Sequence, residues 1–170
     1  MKSSTNISER IESIQAINTI KSLKFKYWNA CDSKKPADIL ACFWADDVHI
    51  NFEDFGIFSS AQDMVTKYEL YSCHGHLIEQ HAGKNPIIKL LSRNKAFGFW
   101  SMSYNLIDTL KSISLSFSGT YEDLYIRDKN ENWFIKETVF KKRASMYRSF
   151  TSGQCSNPRI GKSLTSKKTV

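Results

Sequence analysis

The chain of 170 residues has the size of one domain. Apolar residues make up 41% and charged residues 24%, which excludes wholesale disorder, and no apolar run approaches the roughly 20 residues of a membrane span. The net charge is +7, but all seventeen acidic residues lie at or before Glu137 and eight Lys or Arg residues follow it. Because the first 137 residues are nearly neutral, we expect no nucleic-acid partner. We predict one domain over residues 1–150 and a basic, flexible tail over residues 151–170.

The N-terminal part of the sequence predicts helices. Apolar side chains recur at spacings of three and four over residues 7–31, which predicts a long amphipathic helix with one buried face. The residues of that face are Ile7, Ile11, Ile14, Ile17, Ile20, Leu23, Tyr27 and Cys31. The segment DSKKP at 32–36 ends the pattern, and Pro36 suits the first turn of a second, shorter helix. A third helix is expected over residues 60–71, with Met64, Val65, Tyr68 and Leu70 inside.

The rest of the sequence predicts strands. Apolar and polar residues alternate over 48–53, which indicates a first, half-buried strand. Four long strands are expected near 79–92, 95–108, 112–127 and 132–147, with turn-forming residues in SRNK and DKNEN. This order of elements predicts an α+β domain in which a strongly curved, mainly antiparallel sheet carries the helices on its concave side. Such a sheet encloses a cavity.

The cysteines favour a reducing compartment. Cys31, Cys42, Cys73 and Cys155 are widely separated, with no CxxC pair, and the polar opening MKSSTNISER does not resemble a secretion signal. We therefore expect reduced thiols and a cytoplasmic location.

Three residues stand out as candidates for chemistry. Tyr27 and Asp32 are offset by about 140° on an ideal helix, so both reach one cavity only if the helix ends near Asp32. His81 begins a predicted strand and faces away from its two neighbours. A histidine in this position becomes a general base when a carboxylate fixes its tautomer and stabilises the imidazolium.

A rival interpretation of the same region is a metal site. His74, His76, Glu79 and His81 lie within eight residues, and zinc accepts histidine and carboxylate ligands. Gly75 and the loop character of the segment weigh against it, and neither an HExxH nor a cysteine pattern is present. Phosphate-binding glycine motifs and a GxSxG elbow are also absent from the sequence. We expect neither a metal nor another cofactor.

Three stretches carry a recognisable order of motifs: TIKSLKFKYWNACDSKKPADILACFWADDVHINF, where a helix ends in Y-x-x-x-x-D; QHAGKNPIIKLL followed by KAFGFWSMSYNL; and SGTYEDLYIRDKNENWFIKETVFKKR. Together they resemble the SnoaL-like group of the nuclear-transport-factor-2-like superfamily. The resemblance covers about residues 10–145. It is nearest in character to the scytalone dehydratase and bile-acid dehydratase branches.

The resemblance implies a cone-shaped α+β barrel with an interior pocket and an Asp–His dyad. Asp32 and His81 match the family dyad, and Tyr27 matches a tyrosine that hydrogen-bonds a substrate oxygen. The sequence departs from the dehydratase pattern at three positions. Phe52 replaces a second tyrosine, Tyr104 falls near an acid or histidine position, and Lys142 falls near an arginine position.

These observations predict a cofactor-independent acid/base enzyme, with Asp32, His81 and Tyr27 as catalytic residues. It would be a dehydratase, isomerase or cyclase that acts in biosynthesis on a small, hydrophobic, ring-containing metabolite. Six further residues are expected to contact the substrate: Tyr104, Phe52, Trp28, Trp100, Tyr121 and Lys142. The alternative is a non-catalytic small-molecule-binding or protein-association module of the same fold. We also expect a homo-oligomer, a dimer or trimer, by analogy with related curved sheets.

Overall fold

The structure, a computed structural model, describes residues 6–151 and 155–159. Within these ranges it contains three helices and seven strands. In chain order they are α1 (Ile7–Asp32), α2 (Pro36–Leu40), β1 (His49–Asn51), β2 (Ile57–Phe58), α3 (Ala61–Ser72), β3 (Leu77–Ser92), β4 (Lys95–Asp108), β5 (Ile113–Arg127), β6 (Trp133–Ser149) and β7 (Cys155–Arg159). The first helix and the four long strands begin and end within two residues of the bounds that the sequence predicts.

All seven strands belong to one sheet. Its order is β2-β1-β6-β5-β4-β3, and β7 pairs with β6 beside this path. Every pairing is antiparallel except that of β1 with β6. Register shifts between Lys84 and Ile87 and between Ser118 and Gly119 interrupt the ladders of the long strands, and such bulges bend a sheet. The fold is the predicted α+β cone, a curved and mainly antiparallel sheet with N-terminal helices that enclose a pocket.

The C-terminal segment falls only partly within the described residues. Residues 155–159, which the sequence places in a flexible tail, form strand β7 against β6. Residues 152–154 and 160–170 of the same segment lie outside the described residues. The domain boundary at residue 150 therefore stays a prediction. In the part of the chain that the structure describes, no helix combines the length and apolarity that a membrane crossing needs.

Helix α1 covers the concave face of the sheet with its second half. Burial begins at Ala16, whereas Ile7, Ile11 and Ile14 are 73%, 50% and 58% exposed. The prediction that these three isoleucines are buried is wrong, because a periodic pattern identifies the face of a helix and not the length that the fold covers. The prediction for Leu70 of α3 is also wrong, since that side chain is exposed.

A tight contact fixes the second half of α1 against β3. The ring of Trp28 lies so close to Gly83 that a Cβ atom at that position would be 1.9 Å from the ring. Trp28 also packs edge-to-face against Trp100 of β4, with ring centroids 5.3 Å apart. The glycine is therefore needed for close approach, and the two tryptophans form the centre of the core.

The core also contains an ion pair. The side chain of Lys24 is fully buried, and its ammonium group lies 2.9 Å from Oδ2 of Asp123 on β5. The Asp123 carboxylate also accepts hydrogen bonds from Thr138 at 2.7 Å and from Tyr125 at 2.7 Å. Burial lowers the pKa of Lys24, because removal from water disfavours the charged form, and Asp123 opposes this effect. The pair joins α1 to the middle of the sheet.

We predict that Lys24→Met lowers the free energy of unfolding by about 3–5 kcal/mol, because it leaves the Asp123 charge buried without its counter-ion. The measurement is urea denaturation followed by circular dichroism. The double variant Lys24→Met/Asp123→Asn should recover part of the loss. Lys141→Met is the matched control, because the Lys141–Glu122 pair is accessible to solvent and should contribute under about 1 kcal/mol. Equal stability of Lys24→Met and Lys141→Met would contradict this prediction.

Candidate functional site

The end of α1 brings Asp32 to the start of β3. The helix stops at Asp32, and Lys34 follows with a positive φ of 55°, which turns the chain away from the helix axis. The Asp32 carboxylate accepts a hydrogen bond from the backbone N–H of His81, with distances of 3.1 Å and 3.0 Å to its two oxygens. Its Oδ1 also lies 2.6 Å from the ring nitrogen Nδ1 of His81. Asp32 and His81 are therefore in direct contact.

This contact determines the tautomer of His81. A carboxylate only accepts hydrogen bonds, so Nδ1 carries a proton, and in the neutral ring the lone pair is then on Nε2. No described residue hydrogen-bonds to Nε2. Because His81 belongs to the cavity wall and Asp32 does not, the carboxylate lies behind the imidazole. An imidazole held in this way can accept a proton through Nε2.

The cavity has a volume of about 300 Å³, within the range of small-molecule sites. Six of the residues predicted for the site belong to its wall: Tyr27, Phe52, His81, Tyr104, Tyr121 and Lys142. The structure does not bring Trp28 and Trp100 to this wall, since both are buried in the aromatic core. Trp28 instead contacts the ring of Tyr121, with ring centroids 5.8 Å apart, and so supports the wall from behind.

Two groups on α1 contribute protonated side chains to the cavity. Burial raises the pKa of the Tyr27 hydroxyl well above its usual value. Burial also raises the pKa of the Cys31 thiol to about 12. At neutral pH, Tyr27 is therefore a neutral hydroxyl donor. Cys31 is a thiol and not a nucleophilic thiolate.

Glu79 is a cavity residue that the sequence suggested only as a metal ligand. It precedes His81 by two residues on β3, so both side chains lie on the same face of the sheet. Its carboxylate accepts a hydrogen bond from the Tyr104 hydroxyl group at 2.6 Å and pairs with Lys34. The Tyr68 hydroxyl group lies 3.3 Å from Oε2 of Glu79, but its shorter hydrogen bond, 2.5 Å, goes to the carbonyl oxygen of Cys31. The period of two in β3 would have indicated Glu79 as a neighbour of His81, but Tyr68 and Lys34 are distant in sequence and had no such signal.

The opposite side of the cavity carries a second ion pair. The ammonium group of Lys142 on β6 lies 2.5 Å from Oδ2 of Asp54, in the connection between β1 and β2. It also lies over the ring of Phe117, 5.1 Å from the centroid. The Lys142–Asp54 ion pair therefore holds the connection between β1 and β2 against the sheet, beside the cavity.

The residues of the alternative metal site do not converge. The rings of His74 and His76 stack with centroids 5.4 Å apart, whereas Glu79 bonds to Tyr104 and His81 to Asp32. Among residues 6–151 and 155–159, no group of three or more His, Cys, Asp or Glu side chains is arranged to hold a metal ion.

We predict that five of the seven tyrosines stay protonated in the native protein at pH values where free tyrosine ionises, about pH 10. Burial raises the pKa of Tyr27, Tyr68, Tyr104, Tyr121 and Tyr125. Above about pH 10 the folded chain then holds more protons than the unfolded chain, so stability falls as the pH rises. Phenolate absorbance in the ultraviolet should report at most two native ionisations, against seven in guanidinium. Five or more phenolates in a chain with native circular dichroism would refute this expectation.

Comparisons with solved structures find the same fold in proteins of low sequence identity. A provisionally named scytalone dehydratase from Novosphingobium aromaticivorans DSM 12444 has a TM-score of 0.71 at 15% identity, over 80% of this chain and 89% of that chain. The hexachlorocyclohexane dehydrochlorinase LinA-type3 from Novosphingobium barchaimii LL02 has a TM-score of 0.68 at 13% identity, over 78% and 90% of the two chains. ActVI-ORFA from Streptomyces coelicolor has a TM-score of 0.63 at 9% identity, over 74% and 96%.

A comparison with family models gives the classification. The model of the SnoaL-like domain matches residues 12–139, which include Tyr27, Asp32, His81 and Tyr104 and most of the chain. The matched range extends from α1 into β6, so it contains β3, β4 and β5 and ends before the cavity residues Phe140 and Lys142. This chain belongs to the SnoaL-like family.

Proposed function

We propose that the protein is a cofactor-independent lyase or isomerase that removes a carbon-bound proton from a small, hydrophobic, ring-containing substrate. His81 acts as the general base, and Asp32 positions it and stabilises the imidazolium. The observation that carries the proposal is the 2.6 Å contact between Asp32 and Nδ1 of His81, with the imidazole in the wall of an aromatic cavity.

The charge that develops on the substrate needs a donor. When His81 takes the proton from a carbon next to a carbonyl or similar group, negative charge grows on the substrate oxygen. Tyr27 supplies a buried, protonated hydroxyl in the same cavity and is proposed as that donor. The Tyr104 hydroxyl donates to Glu79, so its proposed part is substrate contact beside His81, where the ring centroids are 4.8 Å apart. One donor aimed at a developing oxyanion contributes about 10²–10³-fold.

The names of the structural neighbours favour elimination over the other reactions of this class. One neighbour is provisionally named a dehydratase and another a dehydrochlorinase, and both names describe loss of a group next to the carbon that loses its proton. In this chain, the electrons of the broken C–H bond would form the new double bond, and the leaving group would depart from the adjacent carbon. Phe52 and Tyr121 are proposed to hold the apolar ring, with Lys142 near the leaving group. A biosynthetic role, a cytoplasmic location and a homo-oligomer stay predictions.

A general probe tests the base without knowledge of the natural substrate. The compound 5-nitrobenzisoxazole is an apolar bicycle whose C–H proton is removed by a base while its N–O bond breaks, giving a coloured cyanophenolate. We expect turnover by the wild type and a loss of about 10²-fold or more in kcat for His81→Ala. Asp32→Asn should lower kcat with KM nearly unchanged, because Asp32 lies outside the cavity wall.

The matched control is His49→Ala, because His49 is exposed on β1 and lies outside the cavity wall. It should retain wild-type turnover, and circular dichroism should verify that all variants are folded. Wild-type turnover by His81→Ala would refute the proposal. Activity that survives His81→Ala and disappears in Glu79→Gln would assign the base to Glu79 instead. A wild type that binds the probe without turnover would favour the non-catalytic binding module.

A further inference from the structure

Glu79 is a charged side chain that the proposed proton transfer does not use. It belongs to the cavity wall, and its side chain is only 6% exposed. A carboxylate in such surroundings is costly unless its lone pairs are hydrogen-bonded. The number of its partners therefore indicates whether Glu79 is a closed structural group or an open binding group.

The partners leave one acceptor direction open. An ionised carboxylate offers about four lone-pair directions. Tyr68 and Lys34 both contact Oε2, whereas Tyr104 alone contacts Oε1. In the part of the chain that the structure describes, Oε1 therefore has one acceptor position without a partner, and it belongs to a residue of the cavity wall.

The surroundings select the kind of group that can use this position. The Lys34 ammonium already neutralises the Glu79 charge, so a second cation gains little there. Other residues of the cavity wall, such as Met64, Leu115 and Phe117, are apolar. A neutral hydroxyl group on an otherwise apolar ring satisfies both conditions, since it donates one hydrogen bond and carries no charge.

We infer that Glu79 determines substrate specificity by accepting a hydrogen bond from a hydroxyl group of the substrate. The inference rests on the proposed function, because it takes the cavity to be the substrate site. The substrate class is then a hydroxylated ring compound. Its hydroxyl group lies at Glu79, and its reacting carbon lies at His81, two residues further along the same strand face. Glu79 binds in this scheme and transfers no proton.

The test uses two probes of similar shape, 2-naphthol and 2-methoxynaphthalene, which differ in that only the first can donate a hydrogen bond. Equilibrium dialysis at neutral pH gives both dissociation constants. The wild type should bind 2-naphthol about tenfold more tightly or better, as expected for a hydrogen bond to a charged group. The double variant Lys34→Met/Glu79→Met removes both members of the ion pair. It should bind 2-naphthol and 2-methoxynaphthalene with about equal dissociation constants.

Two further variants separate direct binding from an indirect effect. Tyr104→Phe removes one partner of Glu79 but keeps the carboxylate, so the preference for 2-naphthol should persist. If Tyr104→Phe also abolishes the preference, the group that accepts the hydrogen bond of 2-naphthol is the Tyr104 hydroxyl oxygen, and the inference is overturned. His81→Ala should keep the preference, because it affects only proton transfer.

The two proposals fail in different ways. Equal wild-type affinity for the two probes, or no binding of either, would overturn the role of Glu79. Loss of 5-nitrobenzisoxazole turnover in His81→Ala would still support the base. A 2-naphthol preference that depends on Glu79, together with unaffected turnover in His81→Ala, would support the binding role and refute the base.

Discussion

The Asp32 carboxylate is the contact on which the site depends, because it joins the end of α1 to the start of β3. It receives the backbone N–H and the ring Nδ1 of the same residue, His81. A carboxylate at a helix C-terminus is mildly unfavourable, since it faces the negative end of the helix dipole. The hydrogen bonds from β3 offset that cost. One side chain thereby fixes both the position of the strand and the orientation of its imidazole.

A second carboxylate contact of α1 has a different role because water and ligands cannot reach it. Lys24 and Asp123 are fully buried, and Tyr125 and Thr138 also donate hydrogen bonds to the carboxylate, whereas His81 lines a cavity. The two contacts are eight residues apart on the helix, from Lys24 to Asp32. The Lys24–Asp123 pair holds α1 against the sheet, and this placement of the helix brings Asp32 to His81. In the proposed function, one helix therefore supplies a stabilising contact at Lys24 and a catalytic contact at Asp32.

The sequence predicted the backbone of this fold better than the contents of its cavity. Alternation and turn residues were sufficient for the long strands, and the position of Tyr27 on the apolar face of α1 was correct. Lys24 also lies on that face, four residues after Ile20, but a lysine carries no apolar signal and its partner Asp123 is 99 positions away. The contacts of Glu79 likewise come from β4, from α3 and from the turn after α1. Periodicity describes one element at a time, whereas a site is formed by several.

The two sides of the cavity differ in polarity. Four groups that can donate or accept protons lie on β3, β4 and the C-terminal half of α3: His81, Glu79, Tyr104 and Tyr68. Tyr27 adds a hydroxyl group from α1, and Lys142 of β6 adds an ammonium group. The wall formed by β5, β6 and the β1–β2 connection is mainly aromatic, with Phe117 and Phe140 in contact at a centroid distance of 5.7 Å. An apolar ring with polar substituents on one edge fits this arrangement in one orientation. Because that orientation presents the polar edge to His81, recognition and proton removal would occur at the same strand.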